Sequence, residues 1–207
     1  MDYASFLHYI SSCKDPVILV EGTRNLPDAD RPALLRLAEM LAGRLPRAIF
    51  RTGNATGSDE AFAEGVCRVD ASRLQYILPS SGMGKLRKNP SAYSVAVENI
   101  SSVEEPELVY RTKQATPANA RLIDRFVQRE KGQAYAKSLY LLRDTLKVTG
   151  SAEQGLAPAS LGIFYVDRSR EGGGGGGTGH TLRVCEQAGV PVILQEEWMQ
   201  WLRENVQ

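Results

Sequence analysis

Three segments of this 207-residue chain combine glycine with hydroxyl and charged side chains at spacings that suit anion recognition. The longest is Gly172 to Gly177, six consecutive glycines followed by Thr178, Gly179, His180 and Thr181. Glycine lets the backbone approach a bound anion closely and adopt positive φ. A helix opening directly behind such a loop offers unpaired N–H groups and the positive end of its dipole. Gly176, Gly177, Thr178, Gly179 and Thr181 are therefore candidate phosphate ligands, the threonines through their hydroxyls. His180 could donate a hydrogen bond or act as an acid, or be a polar helix-start residue. Polyglycine also reads as a flexible linker. A linker would not normally sit between two buried strands with a short helix behind it.

The second segment is Gly53-Asn54-Ala55-Thr56-Gly57-Ser58-Asp59. Gly53, Asn54 and Gly57 on a strand-to-helix turn make a compact backbone nest for an anion or a ribose. Asp59 could accept hydrogen bonds from ribose hydroxyls, or could sit in the first helical turn because the dipole favours it, with Ser58 as the N-cap. The third is Glu21-Gly22-Thr23-Arg24, in which Arg24 could clamp a phosphate bidentately. Glu21 would serve there as a ribose or base acceptor, or as a capping group. If the ligand is turned over, the candidate catalytic groups are Glu21, Asp59, Glu171 and His180. Lys85, Arg87 and Lys88 form a small basic cluster, either solvated or reaching phosphate from a loop. Two familiar motifs are excluded. Leu86 follows Gly84-Lys85 where a P-loop needs serine or threonine, and no dinucleotide fingerprint follows the first strand.

These segments need a scaffold that brings them together. Short apolar runs at 16–20, 48–51, 74–78, 161–166 and 191–194 predict buried strands. Amphipathic periodicity predicts helices over 3–12, 30–44, 59–68, 118–130, 133–148, 180–188 and 196–204. Leu34, Leu37 and Leu41 would be the buried stripe of the second of these, with Pro32 in its first turn. Residues 80–117 are polar and mixed, and 149–159 is a soft stretch. Strands alternating with helices imply an α/β fold: a doubly wound, mostly parallel sheet with helices on both faces, Rossmann-like, in one domain. Residues 80–159 would be a partly helical insertion in its middle or a divergent part of the same domain. In such a sheet ligands bind beyond the carboxyl ends of the strands. All three glycine segments fall at such ends, as does Ser80 to Lys85.

Composition narrows the function classes. Hydrophobic residues make up 43% and charged residues 24%, as in ordinary globular domains. The 25 Lys and Arg balance 24 Asp and Glu, so a general polyanion binder is not indicated. The aromatics form no stacking stripe among basic residues, although residues 80–131 hold nine Lys/Arg against six Asp/Glu. Cys13, Cys67 and Cys185 are odd in number and far apart, which predicts reduced thiols in a cytoplasmic protein and no metal site. No apolar run approaches the roughly 20 residues of a membrane span, and the N-terminus lacks the basic start of a signal peptide.

Taken together, the loops resemble the SLOG superfamily, the Rossmann-like fold shared by DprA/Smf and the LOG "lysine decarboxylase-like" proteins. Val20-Glu21-Gly22-Thr23-Arg24 is similar to its V-G-[ST]-R after the first strand. Thr52 to Asp59 is similar to its S-G-G-A-x-G-x-D loop. Gly176-Gly177-Thr178-Gly179-His180-Thr181, with the later Ala188-Gly189-Val190-Pro191-Val192, is similar to its late glycine–threonine loop and following strand. The likeness spans roughly 15–79 and 160–195. It implies a nucleotide or nucleotide-derived ligand at the convergent loops and a homodimer. Within the superfamily are nucleotide sensors, cytokinin-releasing phosphoribohydrolases and a single-stranded DNA binder. Thr181 or, in the other register, Val184 stands where the hydrolases carry their glutamate, and Asn54 replaces the second glycine of G-G-A. The expectation is thus a nucleotide-binding or sensing protein, with no other cofactor. The alternatives are an N-glycosidic hydrolase of nucleotides and, less favoured, a DprA-like nucleic-acid binder.

Overall fold

The computed structural model describes residues 1–82, 89–167 and 176–204. Its elements in chain order are α1 (Tyr3–Ser12), β1 (Val17–Gly22), α2 (Arg31–Arg44), β2 (Ile49–Thr52), α3 (Ser58–Asp70), β3 (Leu74–Leu78), β4 (Tyr93–Ala96), α4 (Glu105–Ala115), α5 (Ala120–Val127), α6 (Gln133–Thr149), β5 (Leu161–Tyr165), α7 (Gly176–Ala188), β6 (Val192–Ile193) and α8 (Gln195–Glu204). The six strands form one all-parallel sheet in the order β4-β3-β2-β1-β5-β6. The order reverses between β1 and β5, which is where a crevice opens at the carboxyl edge.

Side chains alternate between the two faces of a strand. From β1, Ile18 and Val20 join Phe50, Leu74, Tyr76, Leu161 and Ile163 under α1, α2, α3 and α8. Leu34, Leu37, Ala38 and Leu41 of α2 and Phe62 and Val66 of α3 close this face. The opposite face is covered by α4 to α7. There Leu19 and Phe164 meet Ala115, Val148, Val184 and Cys185, and Ile77 and Val95 meet Leu108, Ile123, Phe126, Leu142 and Leu146. All six residues of β1 are buried, as expected of a strand covered on both sides.

The structure departs from the sequence expectations in places. Residues 80–117 contain a strand and a helix that the polar composition hid. β4 pairs with β3 from Gln75↔Tyr93 to Leu78↔Ala96, with only Val95 and Ala96 buried, as suits an edge strand. α4 buries only Leu108, Thr112 and Ala115, too narrow a stripe to stand out. The expected helix over 118–130 ends at Val127, and the last strand shrinks to Val192–Ile193. Ser58 is not the N-cap of α3. Gly57 holds that position at φ 78°, and Ser58 opens the helix. The Ser58 N–H and hydroxyl both donate to the Thr23 carbonyl, at 3.0 and 2.9 Å, so Ser58 ties α3 to the loop after β1. The predicted helix start at 180 moves back to Gly176, φ 73°. The three cysteines are free, Cys185 buried and the others half-buried. Among the described residues no helix is long and apolar enough to cross a membrane.

Candidate functional site

A cavity of about 380 Å³ lies at the switch point between β1 and β5. Glu21, Gly22, Thr23, Arg24 and Asn25 line it from the end of β1, and Val166 and Asp167 from the end of β5. Ala55 and Asp59 enter from the β2–α3 turn, Gly176, Gly177 and Thr178 from the start of α7, and Arg143 from α6. Eight sequence-predicted residues thus share one cleft: Glu21, Gly22, Thr23, Arg24, Asp59, Gly176, Gly177 and Thr178.

The other predicted residues stand behind it. Asp59 accepts from the Gly22 N–H at 3.3 Å through Oδ1, and from the Gly53 and Ala55 N–H groups at 3.1 and 3.2 Å through Oδ2. One carboxylate therefore pins the loops after β1 and β2 together, and the Gly53 N–H is already donated. Glycine at 53 also leaves room for a guanidinium: a Cβ there would sit 1.4 Å from Arg143 Nη1 and displace it. At Gly57 positive φ and the Thr23 and Arg24 carbonyls, 2.5–2.6 Å from any Cβ, exclude a side chain. Asn54, buried, takes φ 55° beside Gly53. Gly179 and Thr181 are buried one turn into α7. The Thr178 hydroxyl donates to the Gly22 carbonyl at 3.1 Å, and the Thr181 hydroxyl lies 3.0 Å from both the Gly177 carbonyl and Glu21 Oε1. Gly172 to Gly175, Glu171 and the Lys85, Arg87 and Lys88 cluster lie outside the described residues.

His180 is not at the cleft. It is fully buried, with Nδ1 2.7 Å from the Thr116 hydroxyl and Nε2 3.0 Å from that of Thr145. Burial pushes its pKa down to about 4, against the opposing field of Asp144. The ring is neutral near pH 7 and locks α7 to α4 and α6, which removes it as an acid facing a ligand. The reason is angular: His180 is on the side of α7 turned toward α6, whereas Gly176 to Thr178 face the opening.

Sequence reasoning missed the contribution of α6. Arg143, Asp144 and Lys147 are 4%, 0% and 0% exposed. Lys147 Nζ bridges Glu21 Oε2 and Asp144 Oδ1, and Arg143 Nε lies 3.0 Å from Asp144. Burial raises the Glu21 carboxyl from 4.5 to about 7, with Asp144 and Asp59 adding to the rise and Lys147 and Arg143 opposing it. Asp144 also feels burial, but Arg143 and Lys147 outweigh it and hold its pKa below 3.8. Arg51 of β2 extends the network: Nη1 donates to the Lys147 carbonyl at 2.9 Å, and Nε and Nη2 donate to Gln75. Burial lowers Arg51 to about 10, so it remains a cation. Tyr140, one turn before Arg143, has the Arg24 and Arg143 guanidinium carbons each 5.7 Å from its ring centroid. The only available signal was three charges of alternating sign at 143, 144 and 147, which a solvated helix face shows equally well.

The cleft therefore brings together two guanidinium groups, a helix N-terminus, carboxylates and hydroxyls. This set can hold a phosphorylated ligand and hydrogen-bond its hydroxyls. Among the described residues no group of three or more His, Cys, Asp or Glu could hold a metal ion.

No protein-family profile matches the chain, and no curated protein matches it. Among solved structures it is similar to DNA processing protein A from Helicobacter pylori, described for its single-stranded DNA binding mode. Identity is 12% over 95% of this chain and 74% of that one, with a TM-score of 0.45.

Proposed function

We propose that the chain binds a nucleotide or nucleotide-derived ligand in the β1–β5 cleft, as a binding or sensing protein. One observation carries the reading: the first residues of α7, the Thr23–Arg24 loop and Arg143 line one cavity at the switch point of a parallel sheet. The phosphate would rest on the backbone of Gly176 and Gly177, with Arg24 and Arg143 as its cations, while Thr178 holds the start of α7 to the Gly22 carbonyl. Glu21 and the one remaining lone pair of Asp59, on Oδ1, would accept from ribose hydroxyls. The volume is near the lower end of the ~300–1,000 Å³ of ligand pockets, which favours a mononucleotide-sized group.

A second reading, N-glycosidic hydrolysis, is favoured by Glu21. A carboxyl near 7 in the cleft wall has the proton affinity that an acid–base group needs at neutral pH.

The test is a thermal-shift screen with AMP, ADP, ATP, NAD, ADP-ribose, cyclic nucleotides and a short single-stranded DNA. Each hit is then assayed for free base by chromatography. A ligand at a hundred times its dissociation constant adds about 2.7 kcal/mol and raises the midpoint. A nucleotide shift that Arg24→Ala and Asp59→Ala abolish, without base release, is the expected result. Release of free base would promote the hydrolase. A shift with DNA alone, fading with salt, would overturn both readings.

A further inference from the structure

We propose that Glu21 is the proton acceptor of this cleft, taking up one proton when an anionic ligand seats against Gly176, Gly177 and Arg24. The proposal rests on the anion-binding reading above and adds a regulation to it. Glu21 is 4% exposed, at the end of β1, and lines the same cavity as those three residues. Its Oε1 is 3.0 Å from the Thr181 hydroxyl, which is itself 3.0 Å from the Gly177 carbonyl. The carboxylate thus meets α7 one turn behind Gly176 and Gly177, the start of the helix whose N–H groups would hold the anion.

Every element around Glu21 contributes a charge or a fixed group. From α6 come Lys147, paired directly, and Arg143 and Asp144; from α3 comes Asp59. Arg51 of β2 reaches the backbone of Lys147. From α7 come Thr181 and Cys185, the latter a neutral thiol pushed up to about 12 by burial. Arg24 and Asp167 face the open side. Lys147 is shared with Asp144, so it does not fully neutralise Glu21. The carboxyl is balanced between its two protonation states near pH 7. A second negative charge about one helical turn away, in a partly buried site, would raise its proton affinity by about a hundredfold. The proton is the less costly response, because turning away would break the contacts of Glu21 with Lys147 and Thr181.

Inorganic sulfate is the probe, since it stays divalent across the range. Calorimetry of the full chain at about pH 7.5, in two buffers of different ionisation enthalpy, reads proton uptake directly. The expected result is uptake of about half a proton or more per sulfate, and affinity about tenfold weaker at pH 8 than at pH 6. Glu21→Gln should bind sulfate with neither effect. Carbon NMR of the glutamate carboxyls in the wild-type chain, with and without sulfate, reads the same event without any variant. Binding with no uptake, or uptake undiminished in Glu21→Gln, would overturn the proposal and leave the binding reading standing. Failure to bind sulfate would overturn it too; a nucleotide that still raised the melting midpoint would keep the binding reading alive.

Discussion

Under α1, α2, α3 and α8 the sheet presents hydrocarbon: Ile18, Val20, Phe50, Leu74, Leu161 and Ile163, packed on leucines and Phe62. Under α6 and α7 the same strands present Glu21, Arg51 and Gln75, and the helices answer with Lys147, Arg143, Asp144, His180 and Thr181, all but Gln75 nearly or fully buried. The strands alternate between these two environments residue by residue. Apolar burial is non-directional and stabilises in proportion to area. A buried ionic network gains little net stability, but each group is fixed by its partners, and its geometry is specific. The molecule keeps the ionic network on the α6–α7 face, beside the apolar clusters that Leu19, Phe164 and Ile77 form there, and opens its cleft at the edge of that network.

Two substitutions of similar size would separate the faces. Phe62→Ala, on the hydrocarbon side, should lose about 3–5 kcal/mol in chemical denaturation, with ligand affinity unchanged once folded. Lys147→Met should also lose about 3–5 kcal/mol, because it leaves buried carboxylates short of a cation. The difference lies in rescue. Glu21→Gln added to Lys147→Met should recover a large part of the loss, because it removes a carboxylate left without its cation. If the double variant is as unstable as the sum of the singles, the network is not a unit.

The polar face should also give the pH response. Glu21 has its folded pKa raised from 4.5 to about 7. Between those values the folded state holds the proton and the unfolded state does not, so stability falls as pH rises, by about 3 kcal/mol in all. His180 is lowered from 6.5 to about 4. Between these values the unfolded state holds the proton, so stability falls as pH drops, again by about 3 kcal/mol. From pH 4.5 to 6.5 the two slopes oppose and nearly cancel. Glu21→Gln should unmask the histidine slope, so that this variant alone loses stability on acidification from 6.5. A wild-type profile as steep as the variant's would mean that Glu21 titrates with ordinary carboxyls.

A smaller loss is expected at the turn that feeds the cleft. Gly57→Ala places a Cβ at φ 78°, 2.5–2.6 Å from two carbonyl oxygens. It should lose about 1–3 kcal/mol and weaken ligand binding, because it pushes on the loop carrying Arg24.

The hydrocarbon face was legible in the sequence because its signal is local. Leu34, Leu37 and Leu41 repeat at helical spacing, and the runs at 16–20, 74–78 and 161–166 are short and apolar. The loops of the cleft were legible as well, since glycine, hydroxyl and charge at strand ends point to one edge of a parallel sheet. The α6 wall was not. Arg143, Asp144 and Lys147 read as a solvated flank beside Leu139, Leu142 and Leu146, and only the tertiary pairing with Glu21 and Arg51 reveals their burial. His180 failed for a related reason: its chain position is at the cleft, but its side chain is turned toward α6. β4 was hidden because an edge strand needs only half an apolar pattern.

The smallest expected effect completes the comparison with a chemically similar pair of charges. Arg68 of α3 donates to Glu39 of α2 and to Glu64, at 2.8 and 2.6 Å, with its side chain 51% exposed. These ion pairs are as short as those of Lys147. Yet water solvates the partners well in their absence, and holding long side chains in place offsets the modest attraction. Arg68→Ala should leave the denaturation midpoint unchanged within error at moderate salt, while Lys147→Met shifts it strongly. If Arg68→Ala proved as damaging, distance would govern these pairs, and the distinction between the faces would fail. If it is silent, burial decides what an ion pair does here, and Lys147 matters because it is fully enclosed beside the cleft.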